Sequence, residues 1–148
     1  MQIPHNAHVL VADGRKMLFF RNEGDGEFPK LEVESQDEED NPSHHEQATD
    51  LAGRAAPPAG TAGGGSMQEV DFHQQQEDRF AAKLAEMLKT RALANEIESL
   101  IIVAPAKTLG EMRKHYHKEV EARLKGEIAK DLTNMPVPEI EKALQAAE

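Results

Sequence analysis

Glu98-Ser99-Leu100-Ile101-Ile102-Val103-Ala104-Pro105 decides how the rest of the chain is read, because Leu100 to Ala104 is its longest unbroken apolar run. It is too short for a core helix. A β-rich run closed by Pro105, which cannot donate to a continuing ladder, predicts a central strand buried on both faces and therefore covered by helices. The flanks carry helical spacing. Phe80, Leu84, Met87 and Leu88 precede the run on one helical stripe, and Leu109, Met112, Tyr116 and Val120 follow it on another, with Thr108-Leu-Gly-Glu111 in the form of a capping box. Helix, buried strand, helix is the centre of an α/β layer.

The 148 residues, 39% of them apolar and none of them Trp, allow a single modest core. With no Cys, disulfides, thiolate metal sites and thiol nucleophiles are excluded. No apolar stretch approaches the roughly 18 residues of a membrane span, and the N-terminus lacks the basic lead and apolar core of a signal peptide, so a cytoplasmic location without a membrane partner is expected. The net charge of −10 argues against non-specific nucleic-acid binding, which rests on phosphate neutralisation by Lys and Arg. That charge is unevenly spread. Residues 1–78 carry 5 Lys/Arg against 16 Asp/Glu, residues 79–130 carry 11 against 7, and residues 131–148 carry 1 against 4. The middle third could face an acidic partner, or its charges could be solvated helix faces.

In chain order, Val9 and Val11 open a strand, Asp13-Gly14 predicts a type I′ hairpin with Gly14 at positive φ, and Met17 to Phe20 resumes the β-rich pattern. After a second turn at Glu23-Gly-Asp-Gly26, Leu31, Val33 and Ser35 alternate with charged residues, which predicts a third antiparallel strand with one dry face. Residues 32–50 then hold eight acids and no Lys or Arg, and residues 52–66 hold five Gly, five Ala and two Pro. Too little apolar surface is present to offset ordering entropy, so residues 37–70 are expected as a long mobile loop, either disordered or ordered by a partner. A helix from about His73 to Ala94 follows, with Asp71 as a possible cap. Beyond the central strand, the helix from Leu109 either runs to Leu124 or breaks near His117, and Gly126 ends it. Lys125 to Asp131 reads as a return strand completing the crossover, although Leu124, Ile128 and Leu132 also fit helical spacing. A last helix starts with Pro138 at N1.

Chemistry is less legible. There is no P-loop, GxGxxG, HExxH or nucleophile elbow. Neither His44-His45 with His73 nor the pair His115 and His117 has the geometry of a preformed metal site, so no metal or cofactor is expected. Asp13 and Asp131 could meet as paired carboxylates at strand ends, or serve only a turn and a polar strand end. Arg113, Lys114, His115, Tyr116 and Lys118 form a basic, aromatic-containing patch suited to RNA or simply to solvent.

Val11-Ala-Asp-Gly-Arg15 with Phe19-Phe20-Arg21, Arg79-Phe80-Ala81 opening a helix, Leu100-Ile-Ile-Val-Ala-Pro105 with Leu109-Gly110, and Glu127-Ile-Ala-Lys-Asp-Leu-Thr133 with Pro136 occur in that order. From about His8 to Leu144 the chain resembles the bacterial host attachment protein family, described as required for attachment to host cells. That family in turn resembles the central domain of archaeo-eukaryotic peptide-release factors. The resemblance implies a single α/β domain on a mixed sheet, with an N-terminal three-stranded antiparallel meander, a buried central strand, helices on both faces and a strand at Lys125–Asp131. In release factors the loop before the Arg-Phe helix carries Gly-Gly-Gln, and the corresponding stretch here is Gly63-Gly64-Gly65-Ser66-Met67-Gln68. No Gln follows the glycine pair directly, which counts against peptidyl-tRNA hydrolysis. The binding residues implied are Gly63, Gly64, Gly65, Gln68, Arg79, Arg113, Lys114 and Lys130. A non-catalytic module bound to the ribosome or structured RNA, or else to an unidentified protein, is expected to affect attachment indirectly. The alternative is a hydrolase using the Gly-rich loop or the strand-end carboxylates.

Overall fold

The computed structural model describes residues 1–39 and 62–147, the side chains within 62–71 excepted. Its elements are β1 (His8–Ala12), β2 (Lys16–Asn22), β3 (Leu31–Glu38), α1 (Ala62–Leu93), β4 (Leu100–Ala104), α2 (Ala106–Arg113), α3 (Lys118–Arg123), β5 (Leu124–Ala129) and α4 (Val137–Ala146). The five strands form one mixed sheet in the order β3-β2-β1-β4-β5. β1 to β3 make the antiparallel meander, while β4 lies parallel between β1 and β5.

Every residue of β4 is buried, because alternate side chains enter two different cores. Leu100, Ile102 and Ala104 join Leu10, Phe19, Phe80, Leu84, Leu88, Leu109, Met112 and Val120 beneath α1, α2 and α3. Ile101 and Val103 join Val9, Val11, Phe20, Ile128, Ile140 and Leu144 beneath α4. The unbroken apolar run is what a parallel strand needs when both faces are covered.

Several local expectations are corrected. The β1–β2 turn places Gly14 and Arg15, not Asp13 and Gly14, at its centre: Asp13 N–H donates to the Lys16 carbonyl at 2.9 Å, and Asp13 Oδ1 accepts from the N–H groups of Arg15 and Lys16, both at 2.8 Å. No described glycine has positive φ. The short Asp13 side chain closes the turn itself, so no left-handed residue is required.

The two ends of the stretch expected as a loop belong to elements, and residues 40–61 lie outside the described residues. Asp37 and Glu38 extend β3, where Asp37 meets Lys83 of α1 at 2.7 Å. That cation holds the Asp37 carboxyl below its ordinary range. The backbone of α1 begins at Ala62, so Asp71 is interior rather than a cap. Met67, Gln68 and Glu69 favour helix, and each residue added to a nucleated helix gains a hydrogen bond without needing a core to cover it.

Further along, Pro105 is the N-cap of α2 and Thr108 lies within its first turn. The chain breaks at His117, whose Nδ1 accepts from Glu119 N–H at 3.0 Å and starts α3. Gly126 lies within β5 and ends no helix; a Cβ there would come within 2.7 Å of Met1 Cε, so the missing side chain makes room for the N-terminal residue. Pro138 is the second residue of α4, after Val137. Val33, expected on a dry face, is 47% exposed on the edge strand, where the β2–β3 pairing is interrupted by a bulge.

Candidate functional site

In open α/β sheets, ligands gather beyond the carboxyl ends of the parallel strands. Here β1 ends at Ala12 with Asp13 directly after it, and the chain leaving β5 supplies Asp131 and Thr133. Thr133 is buried, and its Oγ1 lies 2.8 Å from Asp13 Oδ2 and 2.9 Å from Asp131 Oδ1. The two carboxylates therefore meet across one hydroxyl. A hydroxyl has a single proton and donates to one of them at a time. Among the described residues no group of three or more His, Asp or Glu gathers in a way that could hold a metal ion.

This count of protons makes a prediction. Thr133→Val keeps the shape but leaves two carboxylates with no shared donor, and should lower stability by about 1–3 kcal/mol. Asp131→Asn keeps an Oδ1 that accepts from Thr133 N–H and removes one of the two facing charges, and should cost less than about 0.5 kcal/mol. Urea denaturation separates the two variants; equal losses would show that the hydroxyl is not what reconciles the acids.

α1 passes over this end of the sheet. A Cβ on Gly14 would lie 2.7 Å from the carboxyl carbon of Glu77, so Glu77 leans on the β1–β2 turn. The first buried side chain of α1 among those described is Phe80, and none from Phe72 to Arg79 is buried. At about 1.5 Å per residue, Gly63 to Gly65 stand about 18–21 Å beyond Glu77 along the helix axis. The glycines expected on a loop thus occupy the first turn of a helical arm, and the Gln68 side chain lies outside the described residues.

Arg79 and Lys130 are exposed. Arg113 and Lys114, expected as a bare basic patch, are paired within the fold. Arg113 lies 3.1 Å from Glu127, and Lys114 lies 2.9 Å from Glu111, which His115 also approaches at 3.7 Å. Hydrogen bonds to these carboxylates raise both cations' pKa, and Lys114 in turn lowers that of Glu111. Tyr116 donates to Glu127 at 2.7 Å, its phenol pushed well above the usual range by burial first and by Glu127 second. Glu111 was read from the sequence only as the end of a capping box and Glu127 only as the start of a motif, neither as a partner of these cations. The three-residue spacing of Glu111 and Lys114 carries the signal for one pair, whereas Arg113 and Glu127 meet only through the fold.

The solved structure of an archaeal translation termination factor, aRF1, is similar over 95% of this chain and 35% of that one, at 14% identity and a TM-score of 0.48. The chain spans about a third of that factor's length. No curated protein matches the sequence. Residues 6–144, nearly the whole chain, match a family of release-factor type, and the chain belongs to bacterial archaeo-eukaryotic release factor family 12.

Proposed function

We propose that this protein acts in translation as a non-catalytic, ribosome-associated module, and that the N-terminal arm of α1 is the part that reaches its partner. Family membership supports the translational setting. The observation that carries the contact is the arm itself, a helix start that stands about 20 Å along the axis from Glu77, which leans on the β1–β2 turn, with the glycine run in its first turn. Glycines leave the backbone open to close approach by another surface. Gly63-Gly64-Gly65-Ser66-Met67-Gln68 lacks a Gln next to the glycine pair, which favours docking over hydrolysis.

Arg79 and Lys130 are exposed cations, whereas Arg113 and Lys114 are already matched by carboxylates, so salt should weaken the contact only moderately. The protein works in the cytoplasm, and any influence on attachment to host cells is indirect, through translation. The test is co-sedimentation with ribosomes at low and high salt, for the full chain and for a variant lacking residues 62–70. The full chain should pellet at low salt and the variant should not, with both melting alike. A variant that pellets equally removes the arm from the contact, and a full chain that stays in the supernatant removes the ribosome and favours a protein partner.

A further inference from the structure

β3 is an edge of the sheet, with β2 on one side and no strand on the other among the described residues. An edge strand turns half of its N–H and C=O groups away from its neighbour, and folds close such edges with bulges, side chains or charge. The first half of β3 is closed in this way. Leu31 N–H donates to Glu141 Oε2 of α4 at 2.8 Å, and Glu34 is the extra residue of a bulge between the Phe20–Val33 and Phe19–Ser35 pairs. The second half is regular. Glu39 N–H turns inward to the Arg15 carbonyl at 2.7 Å, and alternation along the strand then turns the N–H and C=O of Gln36 and Glu38 outward. Both residues are exposed. A hollow of about 320 Å³ lies at the same place, lined by Lys16, Met17, Gln36, Asp37 and Glu38. Outward backbone groups and a receptacle for a side chain thus coincide on three consecutive residues. An added strand uses both, the first for affinity and the second for specificity.

Charge selects the occupant. Residues 32–39 hold five acids and no Lys or Arg. Lys16 is the one cation in the lining of the hollow, against Asp37 and Glu38, and it lies opposite Glu38 in the β2–β3 register. Lys83 of α1 reaches Asp37 at 2.7 Å and is shared with Glu39 at 3.5 Å, which leaves the Asp37 side chain 39% exposed. With both lysines counted the edge stays negative. A second copy of β3 would set acids against acids, which destabilises a strand pair. A nucleic-acid backbone is repelled for the same reason and brings no row of N–H groups to the outward carbonyls. An extended polypeptide carrying Lys or Arg satisfies the backbone and the charge together. We propose that the edge at Gln36–Glu38 receives an extended, basic segment of a partner protein as a sixth strand, with one of its cationic side chains in the hollow beside Asp37 and Glu38.

The test uses the isotope-labelled full chain and a short peptide alternating threonine with lysine. Two controls separate the sources of its affinity. One is the same peptide N-methylated along its backbone, which keeps the charges and removes the donors, and the other carries glutamate in place of lysine. The lysine peptide should give saturable shifts of the Gln36 and Glu38 amide resonances and slow their exchange with solvent, while each control binds at least about tenfold more weakly. Glu38→Lys reverses the charge at the hollow and should weaken the lysine peptide about tenfold. Gln36→Pro removes one outward N–H without touching the β2 pairing, as edge strands allow, and should weaken it to a similar extent. Should the proline variant fail to fold, the N-methylated peptide reads the same loss from the partner's side. No saturable shift, an equal response to either control, or unchanged affinity in the folded variants would overturn the proposal. So would Gln36 and Glu38 amides already protected in the free chain, whether by a second copy or by the chain itself.

Discussion

Ile102→Asp is expected to abolish the cooperative unfolding transition, leaving a chain with little secondary structure at room temperature. Ile102 is fully buried in β4, paired with Leu10 on one side and Glu127 on the other. Its side chain forfeits about 1.5–3 kcal/mol of burial, and the introduced carboxylate adds several more unless a partner satisfies it. The nearest candidates are already engaged, since Arg113 and Tyr116 both bind Glu127. Against a total stability of roughly 5–15 kcal/mol the sum is decisive. Ile102→Val, which removes one methyl group, should cost only about 0.5–1.5 kcal/mol. Circular dichroism melts check both, and an aspartate variant that melts like the parent would mean that β4 is not the covered centre of the sheet.

β4 was legible because burial on both faces removes the alternation that ordinarily hides a strand among polar residues. The antiparallel meander was legible for the opposite reason, since its turns punctuate short β-rich runs. What the residues alone left ambiguous was β5, where Leu124, Ile128 and Leu132 fit helical spacing while the crossover calls for a strand, and the choice depends on pairing with Ile101 and Val103 far away in sequence. The start of α1 was missed because apolar periodicity marks where a helix touches a core, and the described residues that precede Phe80, from Phe72 to Arg79, are not buried.

The site was legible to a smaller degree. Asp13 and Asp131 could be singled out as strand-end acids, but not the buried Thr133 hydroxyl that lies 120 positions from Asp13 and mediates their contact. Charge alone suggested a basic patch at Arg113 and Lys114, since a sequence displays cations without the carboxylates that the fold brings to them. The hollow beside Gln36 had no signature at all. Lys16 is set opposite Glu38 only by the β2–β3 register.

Asn22→Leu should be nearly as damaging as the core charge, because this buried amide is the hub of the β2–β3 turn and the N-terminal segment. Its Nδ2 donates to the carbonyls of Ile3 at 2.7 Å and Pro4 at 3.1 Å, and its Oδ1 accepts from the N–H groups of Gly24 and Lys30, both at 2.9 Å. Leucine matches the amide in shape but leaves the Ile3 carbonyl and the N–H groups of Gly24 and Lys30 without a partner, while the Pro4 carbonyl keeps the N–H of Ala7 at 3.1 Å. Each buried orphan costs about 1–3 kcal/mol, and because water can reach part of the turn the expected total is about 3–5 kcal/mol. Asn22→Asp separates the two halves of the network. The introduced carboxylate still accepts from Gly24 and Lys30 but faces the Ile3 and Pro4 carbonyls with no proton to give. The fold therefore favours its neutral form, which raises its pKa above the unfolded value. Stability of that variant should be greatest in acid and be lost as pH rises through the carboxylate range, a direction opposite to acid denaturation. Urea midpoints measured across mildly acidic to neutral pH test both substitutions. A leucine variant with the parental midpoint, or an aspartate variant that gains stability with pH, would show that Asn22 does not hold the N-terminal segment to the β2–β3 turn.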